Sequence, residues 1–182
     1  SLCANTTGTE NTAVGKDALK LNIGAIQNTA VGTSALRDNT TGACNTAVGF
    51  NSLVQSTTGS TNTAIGREAL FSNTTGHSNV AVGASALKSN TEANQNTAIG
   101  TDALTTSTTA GSLGANTTGG TNTAIGHDAL KLTTTGGQNN AFGDGAMSAN
   151  TIGCRNVAMG NGVMIKNTEG LCNTALGHIA MQ

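Results

Sequence analysis

Four cysteines, three histidines and nine acids are the side chains with which this 182-residue chain could do chemistry. The cysteines, Cys3, Cys44, Cys154 and Cys172, form no C-x-x-C pair, so the usual zinc-site spacing is absent. Cys154 and Cys172 occupy the sixteenth and seventeenth positions of consecutive units in the repeat described below. They are candidates for a disulfide, which would suit an oxidising, extracellular setting; buried free thiols are the other reading. His77, His127 and His178 stand at variable positions, and the His127-Asp128 pair has no recurring nucleophile beside it. The acids are scattered, so no carboxylate pair for glycoside hydrolysis stands out, and with Trp and Tyr both absent the usual stacking platforms for sugars are missing. Gly143-Asp144-Gly145 imitates part of a phosphate loop, but Gly143 belongs to the repeat. Neither the calcium-binding β-roll pattern nor any other ligand motif is present. The expectation is therefore a protein that is not an enzyme, with no catalytic, cofactor or metal site. Asn5, Asn39, Asn73 and Asn116 each open an Asn-Thr-Thr sequon, and are either glycan acceptors or turn residues.

The bulk composition narrows the partners. A net charge of -1 gives no reason to expect nucleic acid or an anionic membrane surface. No stretch approaches the ~18 uninterrupted apolar residues of a membrane span, so no membrane insertion is expected. Three Phe cannot fill an ordinary globular core. Composition alone would point to disorder, but the order of the residues opposes it.

Asn-Thr-Ala-Val/Ile-Gly or a close variant begins at Asn11, Asn28, Asn45, Asn62, Asn79, Asn96, Asn122, Asn139, Asn156 and Asn173. The interval between starts is constant except from Asn96 to Asn122, where the nine extra residues are best placed at Ser107 to Ala115. The unit reads N-T-A-V-G-x-x-A-L-x-x-N-T-T-G-x-x. Its first residue is always Asn, its third always Ala and its fifth always Gly (Gly15, Gly32, Gly49, Gly66 and onwards). The fourth is always apolar, and the ninth is Leu or Met throughout, as at Leu19, Leu36, Leu53 and Leu70. Charges gather at the sixth, seventh, tenth and eleventh positions. Such sorting requires that every unit meet the same surroundings, so residues 1–182 form one repeat domain with an inserted loop near 107–115.

A Gly about every tenth residue excludes long helices, since each costs about 1 kcal/mol inside one. An all-β fold, a β-solenoid or β-roll of about ten 17-residue coils, fits. Equivalent residues would stack ~4.8 Å apart, giving a rod about 48 Å long. The first five residues form a short strand; the sixth to eleventh form a second strand or one helical turn, with K-D-A-L-K and R-E-A-L-F favouring the turn of helix. Asn-Thr-Thr-Gly closes the coil, its Gly supplying the positive φ of a tight corner. Fourth-position Val/Ile and ninth-position Leu/Met would run as apolar ladders, and the first-position Asn column would hydrogen-bond amide to amide along the axis. Alternation along the strand leaves two arrangements open: Val inward with Ala and Gly outward, or Ala and Gly inward with Thr and Val outward. Either leaves apolar surface outside the coil, and a second copy of the chain is the simplest cover, most simply as a trimer.

Tandem N-T-A-[VI]-G-x-x-A-L-x-x-N-T-T-G units resemble the shaft repeats of phage tail-fibre proteins. More loosely, they are similar to the N-S-V-A-I-G coils in the head of trimeric autotransporter adhesins, a left-handed trimeric β-roll. That resemblance implies a structural fibre segment on a virion or outside a cell, self-associating as a trimer or a filament. Three functions follow as expectations: a rigid fibre segment, a head module that binds a host-surface glycan or receptor, and an ice-binding surface built on the second-position Thr column. The first residues occupy the eighth position of a unit and the last the tenth. Two readings of these ends stand: a piece of a longer fibre, or a subunit that polymerises head to tail with each half-coil completed by its neighbour.

Overall fold

The computed structural model describes residues 1–105 and 118–181, so the inserted loop lies outside the described residues, as does Asn116. The chain is all-β among those residues: ten three-residue strands, one per repeat, in a single parallel sheet ordered β1 to β10 as in the chain. They are β1 (Thr12–Val14), β2 (Thr29–Val31), β3 (Thr46–Val48), β4 (Thr63–Ile65), β5 (Val80–Val82), β6 (Thr97–Ile99), β7 (Thr123–Ile125), β8 (Asn140–Phe142), β9 (Val157–Met159) and β10 (Thr174–Leu176). Register is fixed by the repeat: Thr12 pairs with Thr29, Ala13 with Ala30, Val14 with Val31. The extra nine residues do not disturb it, because Thr97 still pairs with Thr123 and Ala98 with Ala124. Each repeat unit is thus one coil of a β-solenoid. No described helix is long and apolar enough to cross a membrane.

Backbone pairing between coils extends well beyond the strands. Thr29 N–H donates to Asn45 C=O at 2.8 Å, Ser34 N–H to Lys16 C=O at 2.8 Å, and Leu36 N–H to Ser52 C=O at 3.0 Å. The sixth to eleventh residues are where the expected helical turn fails. They form consecutive turns, and residues at the seventh and ninth positions take the left-handed conformation, for example Asp17 (φ 57°) and Leu19 (φ 49°). A helix would spend its N–H groups within the coil; these turns aim alternate N–H groups at the coils on either side. The cost, about 1–3 kcal/mol for a non-Gly residue held there, is tolerable at the seventh position, which is mostly Asp, Ser, Asn or Gly. At the ninth it is offset by burial, because Leu19, Leu36, Leu53 and Leu70 are completely enclosed, each worth about 1.5–3 kcal/mol.

The core is narrow. It consists of third-position and eighth-position Ala with ninth-position Leu or Met, one layer per coil. Of the two arrangements left open by alternation, the structure takes the second: Ala30, Ala47, Ala64 and Ala81 are fully buried, while Val14 and Ile65 face outward. The fourth-position ladder is therefore on the surface, and only the ninth-position ladder is internal. So short a coil closes around Ala and Leu and has no room for a second large column.

Glycine is required most plainly at the fifth position. There φ lies near +130°, as at Gly32 (133°) and Gly49 (134°), a region essentially closed to other residues. A Cβ on Gly15 would also sit 2.6 Å from the Gly32 carbonyl oxygen, and one on Gly49 2.6 Å from that of Gly66. The fifteenth-position Gly differs from expectation, since its φ is outside the left-handed region. The left-handed corner residue is the seventeenth, such as Gln27 (φ 59°) and Cys44 (φ 59°). What favours Gly at the fifteenth is close approach of the next coil; a Cβ on Gly59 would lie 2.5 Å from the Gly76 carbonyl oxygen.

Candidate interaction face

Two kinds of column run the length of the stack, one buried and one exposed. The buried kind is amide. Asn45 N–H donates to Asn28 Oδ1 at 2.9 Å, and Asn45 Oδ1 in turn accepts Asn62 N–H at 2.9 Å and Asn62 Nδ2 at 3.2 Å. The remaining amide proton of Asn62 goes to the Gly76 carbonyl of its own coil at 2.8 Å. Asn28, Asn45, Asn79, Asn96, Asn139 and Asn156 are wholly buried, and Asn62 and Asn122 almost so, with Asn11 and Asn173 half-buried on the first and last coils. Among short side chains only Asn pairs an acceptor oxygen with two N–H donors, which accounts for the invariance of the residue.

A second amide column, at residues expected to serve as turn formers or glycan acceptors, runs through the twelfth position. Asn22 Nδ2 donates to Asn5 Oδ1 at 2.8 Å, Asn39 Nδ2 to Asn22 Oδ1 at 3.3 Å, and Asn90 Nδ2 to Asn73 Oδ1 at 2.8 Å. Three of the candidate glycan acceptors belong to it. Asn39 and Asn73 are fully buried, their Nδ2 atoms donating to Gly42 and Gly76 carbonyls at 2.9 and 3.0 Å. A glycan on either nitrogen has no exit from this fold, so they act as structural residues; Asn5 is half-buried, its Nδ2 on the Gly8 carbonyl at 3.0 Å. The signal was present in the sequence as an Asn recurring at the twelfth position, without an obvious burial cue because it stands beside Thr and Gly.

The exposed columns lie on the outer face of the strands. Second-position side chains are half-buried or exposed, and fourth-position ones stand beside them, with Ile65 41% and Ile125 36% exposed. No charged residue occupies either position in any coil. The result is a continuous strip of Thr beside Val or Ile, varied by Asn140 with Phe142 and by Val157 with Met159.

No family model, curated protein or solved structure matches the chain.

Charge lies outside the strands, and the ion pairs gather on the turns of the sixth to eleventh positions. Lys20 meets Asp17 at 3.2 Å, Arg37 meets Asp38 at 2.7 Å, and Lys88 meets Glu68 at 2.7 Å while lying 6.0 Å from the Phe71 ring centre. The hydrogen bond from Lys88 holds the Glu68 carboxyl below its ordinary range, and the Asp38 hydrogen bond pushes the Arg37 guanidinium up. One group among the described residues could approach a metal ion: Asp102, His127 and Asp128, whose ligand atoms lie within 4.8 Å of one another. It arises because seventh-position acids fall on consecutive coils, a juxtaposition not evident while the acids look scattered along the chain. Lys131 already sits 3.1 Å from Asp128, and His127 Nδ1 lies 3.7 Å from Asp144, so a local charge network accounts for the group.

All four cysteines are free thiols. Cys154 and Cys172 do sit on consecutive coils, Cys172 N–H donating to the Cys154 carbonyl at 3.0 Å. Cys154 Sγ, however, turns toward the preceding coil, 3.4 Å from Gly137 N, and away from Cys172. Neither thiol is buried.

Proposed function

We propose that the chain is a non-enzymatic structural element, a rigid rod segment of a virion fibre or an extracellular filament. The observation that carries this reading is the in-register stack itself: the same inter-coil hydrogen bonds recur from β1 to β10, and the buried amide columns tie each coil to both neighbours. Such a stack resists bending and leaves few loops for proteases, because nearly every segment is paired above and below. Its composition serves extension, with small residues inside and the few titratable groups of the described residues spread over the outer turns. Negative-stain microscopy of the purified protein, combined with limited proteolysis, tests the reading. Straight rods whose coils survive protease are expected; globules or rapid digestion throughout would refute it.

A second reading is favoured by one feature, the outward Thr column, present at the second position in seven of the ten coils. Regularly spaced hydroxyl and methyl groups on one strand face would suit binding to ice. Thermal hysteresis at micromolar protein is its test, and a freezing point equal to the melting point ends it. Attachment to a host-surface glycan or receptor, the remaining expectation, would fall to the outer face or the inserted loop; unchanged attachment after deletion of residues 107–115 removes the loop.

A further inference from the structure

We infer that the Thr–Val strand face is a homotypic interface, occupied by a second copy of this chain related by a two-fold axis along the rod. The inference rests on the rod reading above and adds to it the face, the partner and the symmetry.

Three observations name the occupant. First, the face is free of charge at the second and fourth positions of every coil, mostly Thr beside an apolar side chain, while the turns carry ion pairs. A partner that recognised charge would have nothing to read here. Second, the exposed columns are periodic. Side chains such as Ile65, Val82 and Ile99 stand on successive hydrogen-bonded strands in the same register, about 4.8 Å apart. A partner that fills every gap between rungs must itself repeat at that spacing, and a second copy does so by construction. Third, the size is adequate. Ten strands of three residues present a strip of roughly 475 Å² per copy, from ~4.8 Å per strand and ~3.3 Å per residue. A pair of such strips buries about 950 Å², just short of the ~1,000 Å² that separates a specific interface from an incidental contact. The pair is therefore expected to be concentration-dependent, its affinity rising with the number of coils joined.

The two-fold follows from pairing this strip with the same strip of a second copy. A rotation of 180° about an axis parallel to the rod opposes the two faces and keeps both chains running in the same direction with their rungs level. It also reverses strand direction across the interface, so the second position of one copy meets the fourth of the other. At each rung a smaller side chain then faces a larger one: Thr63 opposite Ile65, Thr97 opposite Ile99, and Asn140 opposite Phe142. Two such sheets pack face to face, side chains interlocking, at about 10 Å.

The test uses the full chain and measures mass by sedimentation equilibrium across a range from about one to a hundred micromolar. The expected result is a reversible dimer of twice the 17.9 kDa chain mass. Ile65→Lys with Ile99→Lys, on the face, should leave a monomer at all these concentrations, whereas Gln55→Lys, at an exposed eleventh position in the turns, should leave the dimer intact. Far-ultraviolet circular dichroism reports whether each variant keeps its β structure. A wild-type chain that is monomeric at the top concentration, a dimer that survives both face lysines, or a trimer, would overturn the inference. Rods seen by microscopy in the monomeric face variant would leave the rod reading standing by itself, and loss of β structure in the unmutated protein would refute the rod reading instead.

Discussion

Replacing Asn62 by Ala removes one rung of the first-position amide column, and the structure allows its cost to be worked out. Four hydrogen bonds go: Nδ2 to Asn45 Oδ1 (3.2 Å) and to the Gly76 carbonyl (2.8 Å), and Oδ1 from Asn79 N–H (3.0 Å) and Asn79 Nδ2 (3.2 Å). Most of the former partners keep another: Asn45 Oδ1 retains Asn62 N–H, the Gly76 carbonyl retains Asn73 Nδ2, and Asn79 Nδ2 retains the Ala93 carbonyl. Asn79 N–H is left buried and unpaired. That orphan costs about 1–3 kcal/mol and the other three bonds about 0.5–1.5 each, so a loss of about 2.5–7.5 kcal/mol is expected. Urea unfolding followed by circular dichroism measures it, and hydrogen exchange should place the weakened amides in β4 and β5 and their turns. Asn140→Ala, on the outer face, is the control and should stay within about 0.5 kcal/mol of wild type. Asn62→Asp adds a pH signature. Its carboxylate would be buried against the Asn45 and Gly76 oxygens, raising its folded pKa above the unfolded value of about 3.9. The penalty relative to wild type should therefore be smallest below that pH and grow as pH rises above it. An Asn62→Ala loss no larger than that of Asn140→Ala, or an Asn62→Asp penalty independent of pH, would refute the reasoning.

Three further outcomes follow from the same geometry. Gly49→Ala puts a side chain at φ 134° and 2.6 Å from the Gly66 carbonyl oxygen, and should destabilise by about 3 kcal/mol or more in a thermal melt. Ser56→Asn should stabilise by about 1 kcal/mol, because Ser56 interrupts the twelfth-position column and leaves buried Asn39 Oδ1 without a donor that a longer amide would supply. Lys88→Ala should remove a small pH-dependent increment. Because Lys88 lowers the folded pKa of Glu68, that increment is present above the unfolded pKa of about 4.3 and disappears as pH falls. Partial exposure limits it to under about 1 kcal/mol, read from wild-type and variant melts at several pH values.

What could be read from the sequence was whatever the repeat constrains by itself. The constant period set the coil, the parallel register and the phase across the insertion, since a stack admits only equal neighbours. Invariant Asn marked the first amide column, and invariant ninth-position Leu or Met marked the internal ladder. What the sequence leaves open has one origin: properties local to a coil depend on the coil beside it. K-D-A-L-K has helix-forming residues, yet Leu19 adopts a left-handed conformation and its N–H donates to Ala35 of the next coil, as Ser34 N–H donates to Lys16 of the coil before. Val14 and Ile65 are the bulkier strand residues, yet they lie outside, because so short a coil already closes on Ala and Leu. Asn39 and Asn73 carry a sequon that reads as surface, yet stacking seals them inside. In each case the deciding contact is a full repeat away along the chain and one rung away in space.

Diffraction from oriented rods tests most directly whether each repeat unit forms one rung. The account predicts a strong meridional reflection near ~4.8 Å, with mass per length giving one repeat unit per such rise in each chain. A rise of about 1.5 Å per residue, the mark of α-helix, or a mass per length that places several units at one level of a chain, would contradict it.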